Sequence, residues 1–478
     1  MQGALIGAFA ERREGAGAMQ LWRCEERLRE SALAIISHVE SDGYMVASNT
    51  HAPYGACWFR DTSFCAMALA RIASHLSSDD ETRQKAMRSA LTMLRFMWGA
   101  AGGYAGALEA GGEADLRDDV FKTLRNHLPA RVGNGGGYFK TTLEDGSRID
   151  DSAQHMEDSW LRQYDSVPLL LLATAEVAEL AGTLHGTGAD SRMLNLMARY
   201  MAHTYITPCA NAWESETDKL HAYSVAAVAA GLRHGARIAS WLGADSCRGE
   251  MLRAAAGADA FLERFFVREG ILYRCKPVFD SCGNGFADEP VREPDAALIF
   301  VFSRFKPRIT SYDAVRRATL AYLDGALFGG EALPIRFLHD TYFDGYRWPM
   351  LGLEFARHYA ETGDIARAGA IIRYVERRYM SAQARDEVER EIAEYMRRHY
   401  PWARFRPNGD AGAAMLPEGE LINTAHPGRD AEQFLARHGG PIRNLAWSWA
   451  AYAEACIALY EAMRRPCGAG SRSMLRVA

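Results

Sequence analysis

The stretch ANAWESETDKLHAYS, residues 210–224, sets Trp213 directly against Glu214, with a second acid, Glu216, two positions on and a long Ala/Val-rich run after it. Glu214 is either a solvated acid in the first turn of a helix, where it suits the macrodipole, or a proton donor, because burial against an aromatic disfavours the carboxylate. Further segments mix flat aromatics with charge. YGACWFRDTSF brings Trp58, Arg60 and Asp61 to the start of another run. An indole can stack on a sugar ring while an Arg/Asp pair serves adjacent hydroxyls; the plain alternative is again a first-turn acid. DSWLRQYDSVPLLLL (158–172) adds Trp160, Arg162, Gln163 and Asp165 ahead of an apolar run, where Asp165 or Ser166 could equally cap the helix. IRFLHDTYFDGYRWPMLG (335–352) concentrates Arg336, Asp340, Tyr342, Tyr346 and Trp348 in one loop. Buried Arg and Asp are costly unless paired, so a structural ion pair competes with ligand binding there, but loops on a rigid scaffold are where binding residues gather. Glu418, in LPEGE (416–420) ahead of NLAWSWAAY, is by itself an ordinary loop acid.

The elements that must hold these segments are helices. LWRCEERLRESALAIISHVE (21–40) places Leu21, Cys24, Leu28, Ala32, Ile35 and Val39 near one face. Similar runs occupy 61–76, 82–99, 160–183, 190–204, 218–242, 247–267, 309–326, 348–361, 364–398 and 441–464. β-type alternation is scarce, and breakers such as VGNGGG and RPNGDAGAA separate the runs. Helices of similar length, joined by alternately short and long loops, predict stacked helical hairpins, open as a solenoid or closed as an α/α toroid. The lack of a strict repeat disfavours TPR or HEAT arrays. Residues 1–18 read as an N-terminal tail, 19–465 as one domain and 466–478 as a C-terminal tail.

A net charge of −5 over 478 residues gives no footprint for nucleic acid or anionic lipid, and no apolar run approaches the ~20 residues of a membrane span. The short run ALIGAFA has no basic residue before it and ERRE after it, the wrong order for a secretory signal. Nine cysteines stand in no CxxC or zinc-type spacing, and Cys57 and Cys65 read as packing residues. Reduced thiols and a cytoplasmic location are therefore expected. The composition leaves oligomeric state open.

Taken in chain order, the aromatic and charged segments resemble glycoside hydrolase family 15, the glucoamylase family. Trp58 to Asp61 match its W-x-R-D motif, and Trp160, Arg162, Gln163 and Asp165 its W-G-R-x-Q-x-D-like segment. AWESE is similar to its L-W-E-E, with the second acid displaced to Glu216. RFLHDTYFDGYRW is similar to its R-Y-x-E-D-T-Y-x-x-G-x-x-W. LPE at 416–418 with LAWSWA at 445–450 resemble its late L-P/S-E and L-x-W-S-x-A segments. The matches run from Trp58 to Ala450. His339 stands where the family often has Glu, and Tyr346-Arg347 replace Asn-Pro, so linkage preference is the property most exposed to change.

The resemblance implies an all-α (α/α)6 barrel as a single catalytic domain, with Glu214 as general acid and Glu418 as general base. It implies substrate binding by Trp58, Arg60, Asp61, Trp160, Gln163, Asp165, Trp213, Glu216, Arg336, Asp340, Tyr342, Trp348 and Trp447, and no metal or cofactor. Glycoside hydrolysis passes through an oxocarbenium-like state served by two carboxyls, ~6.5–9.5 Å apart in an inverting enzyme. Roughly two hundred residues separate Glu214 from Glu418, so only a closed fold brings them together. The expected activity is an exo-acting, inverting α-glucosidase releasing β-glucose from short α-1,4 or α-1,6 glucosides. Two alternatives stand beside it. One is a non-catalytic carbohydrate-sensing barrel like the regulatory subunits of phosphorylase kinase, which need not keep an acid/base pair. The other is a different α/α toroid enzyme, an epimerase or lyase, abstracting a proton with His or Tyr; His51, His155, His221 and His339 lie near the motifs.

Overall fold

The computed structural model describes residues 16–48, 57–102, 163–213, 216, 218–277, 290–340, 345–380 and 444–465, together with 387, 390, 393, 394 and 397. Two kinds of helix alternate along the chain. The odd-numbered ones are α1 (Ala16–Ile36), α3 (Glu81–Gly102), α5 (Ser191–Thr204), α7 (Asp245–Phe266), α9 (Tyr312–Leu327) and α11 (Ile365–Val375, continued by a π-turn to Met380). The even-numbered ones are α2 (Phe59–His75), α4 (Ser166–Ala181), α6 (Ala222–Trp241), α8 (Leu298–Phe300, continued by a π-turn to Phe305), α10 (Pro349–Thr362) and α12 (Ala446–Arg464).

Their sequences dictate where each kind sits. α3 buries Ala86, Ala90, Met93, Leu94, Met97, Trp98 and Ala101, a single stripe at helical spacing, so one face packs and the rest meets water. α4, SVPLLLLATAEVAELA, and α8, LIFVFSRF, are apolar nearly all round; α8 is wholly buried, and α4 is buried except at Glu176 and its last three residues. Such helices are stable only when enclosed. The even helices form a closed inner ring: α2 packs on α4, α4 on α6, α6 on α8, α8 on α10, α10 on α12, and α12 back on α2. The odd helices lie outside it, α3 on α2, α7 on α6 and α11 on α10. This is the expected (α/α)6 barrel. Close approach of inner neighbours depends on Gly231 of α6, where an added Cβ would stand 2.4 Å from the Pro168 Cα of α4.

Small β elements trim the segments ahead of the inner helices. β1 (Lys219–His221) pairs antiparallel with β4 (Cys275–Pro277), and β2 (Val267–Arg268) with β3 (Ile271–Leu272). Isolated bridges join Ser48 to Leu445, Cys209 to Lys219, Cys275 to Val291 and Asp295 to Phe337.

The helical runs of the sequence recur within a few residues, with three differences. No helix was expected at 298–305: an inner helix that is apolar all round carries no 3.6-residue period to betray it. The run 364–398 is helical from Ile365, passes into a π-turn over Glu376–Met380, and is helical again at the described residues 387, 390, 393, 394 and 397. Residues 16–18, read as tail, are the first turn of α1, while 1–15 and 466–478 lie outside the described residues. Among the described residues no helix is long and apolar enough to cross a membrane. Cys57 and Cys65 are buried packing residues, and burial pushes the Cys57 thiol up to about 11.

Candidate active site

Within the described residues, the segments singled out in the sequence precede, or open, an inner helix, and contacts between them place them at one end of the ring; LPEGE (416–420) lies outside the described residues. Arg60, in the first turn of α2, is the first link. Its Nε donates to Asp165 Oδ2 at 2.6 Å, its Nη1 to the Ala212 carbonyl at 2.9 Å, and its Nη2 to Gln163 Oε1. One buried guanidinium thus ties the start of α2 to the start of α4 and to the segment entering α6. Asp165 occupies the N-cap position of α4, but its carboxylate does not cap. It takes Arg60 and the Tyr223 hydroxyl, 3.0 Å away on α6. A buried charge is tolerable because it is forked and hydrogen-bonded, and removing either partner of such a pair costs about 3–5 kcal/mol.

Trp213 is the second link. Its backbone N–H donates to Asn211 Oδ1 at 2.8 Å, and its indole Nε1 donates to Asp295 Oδ1 at 2.9 Å. The Arg336 guanidinium stands 5.4 Å from its ring and 4.9 Å from that of Trp348. Trp213 and Trp348 centroids are 5.7 Å apart, tilted by 46°. Arg336 itself is forked onto Asp340, Nε to Oδ2 and Nη2 to Oδ1, both at 2.7 Å, and the pair is buried. The ion-pair alternative for Arg336 and Asp340 is therefore realised, and the pair supports an aromatic stack.

Glu216, three residues past Trp213, adopts the left-handed region at φ 55°, a conformation costly for a non-glycine residue unless its surroundings fix it. Its Oε1 accepts from Lys219 Nζ at 2.5 Å and Arg274 Nη2 at 2.6 Å, and its Oε2 from Asn211 Nδ2 at 3.4 Å. Burial works to raise its pKa, but the Lys219 hydrogen bond and the Arg274 charge outweigh it and hold the carboxyl below its ordinary value. Glu216 is thus an ionised anchor, unsuited to donate a proton.

His221 is buried, and burial lowers its pKa to about 4. Its Nε2 lies 2.9 Å from the Glu216 carbonyl, to which it must donate. Burial keeps this imidazole neutral, with its Nε2–H on a backbone carbonyl; His339 is exposed at φ 61°, and His51 and His155 lie outside the described residues. Donor atoms of Glu216, His221 and Cys275 fall within 4.8 Å of one another. The carboxylate already carries two cationic partners, and burial holds the thiol at about 11, so this set does not suit a divalent cation.

An aromatic group lies between the helix starts. Trp447, in the first turn of α12, stacks on Phe64 of α2 at 4.7 Å and 10°, and meets Phe300 of α8 at 5.6 Å. Its buried indole N–H has no hydrogen-bond partner among the described residues. Asp61 is buried beside Arg60, and Trp58 is half-buried. The structure thus brings together Arg60, Gln163 and Asp165 as one cluster and Trp213, Arg336, Asp340 and Trp348 as another, with Glu216 anchored next to the second. Glu214, Glu418, Trp160, Arg162 and Tyr342 lie outside the described residues.

Two loop residues that depart from the family motif have their contacts within the loop and its neighbours. Tyr346 is buried against Trp348 at 5.0 Å, and Arg347 Nη1 donates to the carbonyls of Phe328 at 3.0 Å and Leu333 at 2.6 Å. Both therefore fasten the loop itself. Three residues that hold this cluster were not singled out in the sequence: Asn211, Arg274 and Asp295. The signal for Asn211 was its place two residues before Trp213, the spacing of an Asx turn. Arg274 and Asp295 sit in ordinary polar context, and only folding brings them to Glu216 and Trp213.

Residues 28–117 match the family model described as glycosyl hydrolases family 15. No curated protein matches the chain by sequence. Among solved structures, a wild-type glycosidase is 20% identical, with 92% of this chain and 98% of that chain covered and a TM-score of 0.65. A glycosidase variant in complex with glucose is 19% identical, with the same coverage and TM-score. The glucoamylase from Saccharomycopsis fibuligera is 11% identical, with 92% and 96% covered and a TM-score of 0.53. At these identities the structural likeness establishes the fold.

Proposed function

We propose, on the premise that this is a chain of glycoside hydrolase family 15, that it is an exo-acting, inverting α-glucosidase releasing β-glucose from the non-reducing end of short α-1,4 or α-1,6 glucosides. Glu214 is the general acid and Glu418 the general base. The observation that supports this reading best is the anchoring of Trp213, the residue before Glu214. It is held by Asp295, Arg336 and Trp348 at the same end of the ring as the other matched motifs within the described residues.

In this reading Glu214 starts protonated beside the indole and gives its proton to the leaving oxygen. Glu418, ionised, takes a proton from the water that attacks the anomeric carbon from the opposite face. Asp61 and Trp447 bind the terminal sugar. Arg60 and Arg336 act by holding Asp165 and the aromatic stack. The chain works in the cytoplasm on short imported oligosaccharides; the seven described cysteines, all free and buried, support a reducing compartment.

Proton NMR of the first product from maltose and isomaltose tests the reading. β-Glucose is expected first, and α-glucose would exclude inversion. Chromatography of an end-labelled maltooligosaccharide should show glucose alone at early times; mid-length fragments would overturn the exo assignment.

A further inference from the structure

We propose that Asp295 is a positioning residue of this site, fixing the Trp213 indole and with it the start of the chain segment that bears Glu214. The inference rests on the glycosidase reading above and deepens it.

Asp295 lies in the segment before α8, fully within the protein. Its Oδ1 accepts from the Ala297 N–H at 2.8 Å, which opens the helix, and from Trp213 Nε1 at 2.9 Å. Opening a helix does not call for a charge, since Ser or Asn serves there as well. A buried carboxylate is expensive, so its presence calls for a second partner. Burial raises its pKa, and Arg274 is the chief influence opposing that rise.

Arg274 also grips Glu216, at the far side of the same short segment. Trp213 is thus held by Asp295 and Glu216 by Arg274, while Asn211 bonds to both, through the Trp213 N–H and the Glu216 carboxylate. Residues 213 and 216 are clamped from one direction by a linked acid and base, and the residue between them that matters most for the chemistry is Glu214. The backbone around Asp295 is itself pinned: it bridges to Phe337, and the Ala296 N–H donates to the Arg336 carbonyl at 2.7 Å. The clamp and the Arg336 stack are therefore one framework.

The test compares parent, Asp295→Ala, Trp213→Phe and the double variant on maltose and on an aryl α-glucoside, whose leaving group needs less protonation. A displaced acid should lower kcat on maltose by about 10-fold to 10²-fold, with KM within about threefold and a clearly smaller loss of kcat on the aryl substrate. The double variant should be no worse than the worse single one, because both remove the same contact. Equal kcat losses on the two substrates, multiplicative losses in the double variant, or parent-like Asp295→Ala would each overturn the proposal. If Asp295→Ala fails to fold, Trp213→Phe, which keeps one aromatic ring and loses the N–H with the rest of the indole, carries the same comparison. A parent that releases no glucose from either substrate would instead sink the glycosidase reading and the proposal with it.

Discussion

The start of the inner ring and its deeper turns both rest on buried charge, and they use it in opposite ways. At the helix starts the charges sit on the segments that join helices. Arg60 with Asp165, Arg336 with Asp340, and Glu216 with Lys219 and Arg274 each bind loop to loop or loop to helix. Further along the helices, the charges sit on the helices themselves. Arg304 of α8 donates to Glu354 of α10 at 2.5 Å and lies 3.6 Å from Glu454 of α12, which also takes Arg71 of α2 at 2.7 Å and Arg357 of α10 at 3.5 Å. Four inner helices meet in that network. Apolar side chains alone pack well in many arrangements, whereas paired charges are satisfied in few. The deep network thus fixes which helix neighbours which, and the loop pairs fix the orientation of a surface that must stay open to a ligand. The π-turn of α8 serves the deep network: Ser303 and Arg304, which both donate to Glu354, sit on its widened backbone.

The sharpest separation of the two regions comes from paired substitutions. Glu214→Gln should lower kcat on maltose by ~10²–10⁴ and leave the thermal midpoint within a degree or so of the parent. Glu354→Ala should do the reverse. It leaves Arg304 buried without its main partner, and about 3–5 kcal/mol of unfolding free energy in urea should disappear. Replacing Arg304 and Glu354 together by Met and Leu should recover most of that loss. If Glu214→Gln is as destabilising as Glu354→Ala, the division between chemistry at the rim and framework in the depth fails.

Acid sharpens the same contrast. Burial works to raise the Glu454 pKa, but Arg71, Arg304 and Arg357 outweigh it and bring it from 4.5 to about 2. A folded pKa below the unfolded one contributes stability that is fully present above pH 4.5 and lost as pH falls toward 2. The difference of 2.5 between those two values amounts to about 3 kcal/mol at most. The stability gap between parent and Glu454→Gln should therefore close as pH drops from 5 to 2 in urea titrations. A gap that stays constant would mean that Glu454 contributes by shape and not by charge.

The rim was far more legible in the sequence than the depth, for a physical reason. Loop segments carry no amphipathic period, so Trp58–Arg60–Asp61 or Arg336–Trp348 stand out as charge and aromatics without a packing excuse. Glu354 and Glu454 sit in helices at positions a solvent-facing acid would take, and Arg304 follows an apolar run too short to show a period. Their burial is decided by a ring that only tertiary structure closes. Asp295 and Arg274 escaped for the same reason, since each is defined by a partner 82 or 58 residues away. The reading of Asp165 as a cap was right about place and wrong about partner, because a fully charged neighbour, Arg60, outbids a backbone N–H.

The smallest expected effect concerns Arg347. Its position in the motif loop suggested a part in linkage preference, yet its Nη1 ends among the carbonyls of Leu327, Phe328 and Leu333, where α9 finishes. Leu333 lies in the loop beyond the helix, while the Leu327 and Phe328 carbonyls take backbone partners only from beyond it, Ile335 and Glu331 N–H, and a cation there also suits the negative end of the helix dipole. Arg347→Met keeps most of the stem's packing and removes only the donors. It should cost about 1 kcal/mol in urea unfolding and leave the maltose-to-isomaltose ratio of kcat/KM within about twofold of the parent, equivalent to no more than ~0.4 kcal/mol of differential transition-state binding. Tyr346→Phe should behave alike, since the buried ring packs against Trp348 in either form. A tenfold change in that ratio from Arg347→Met would show that the outer edge of this loop selects the linkage, and the boundary between the part that holds and the part that chooses would have to move outward to include it.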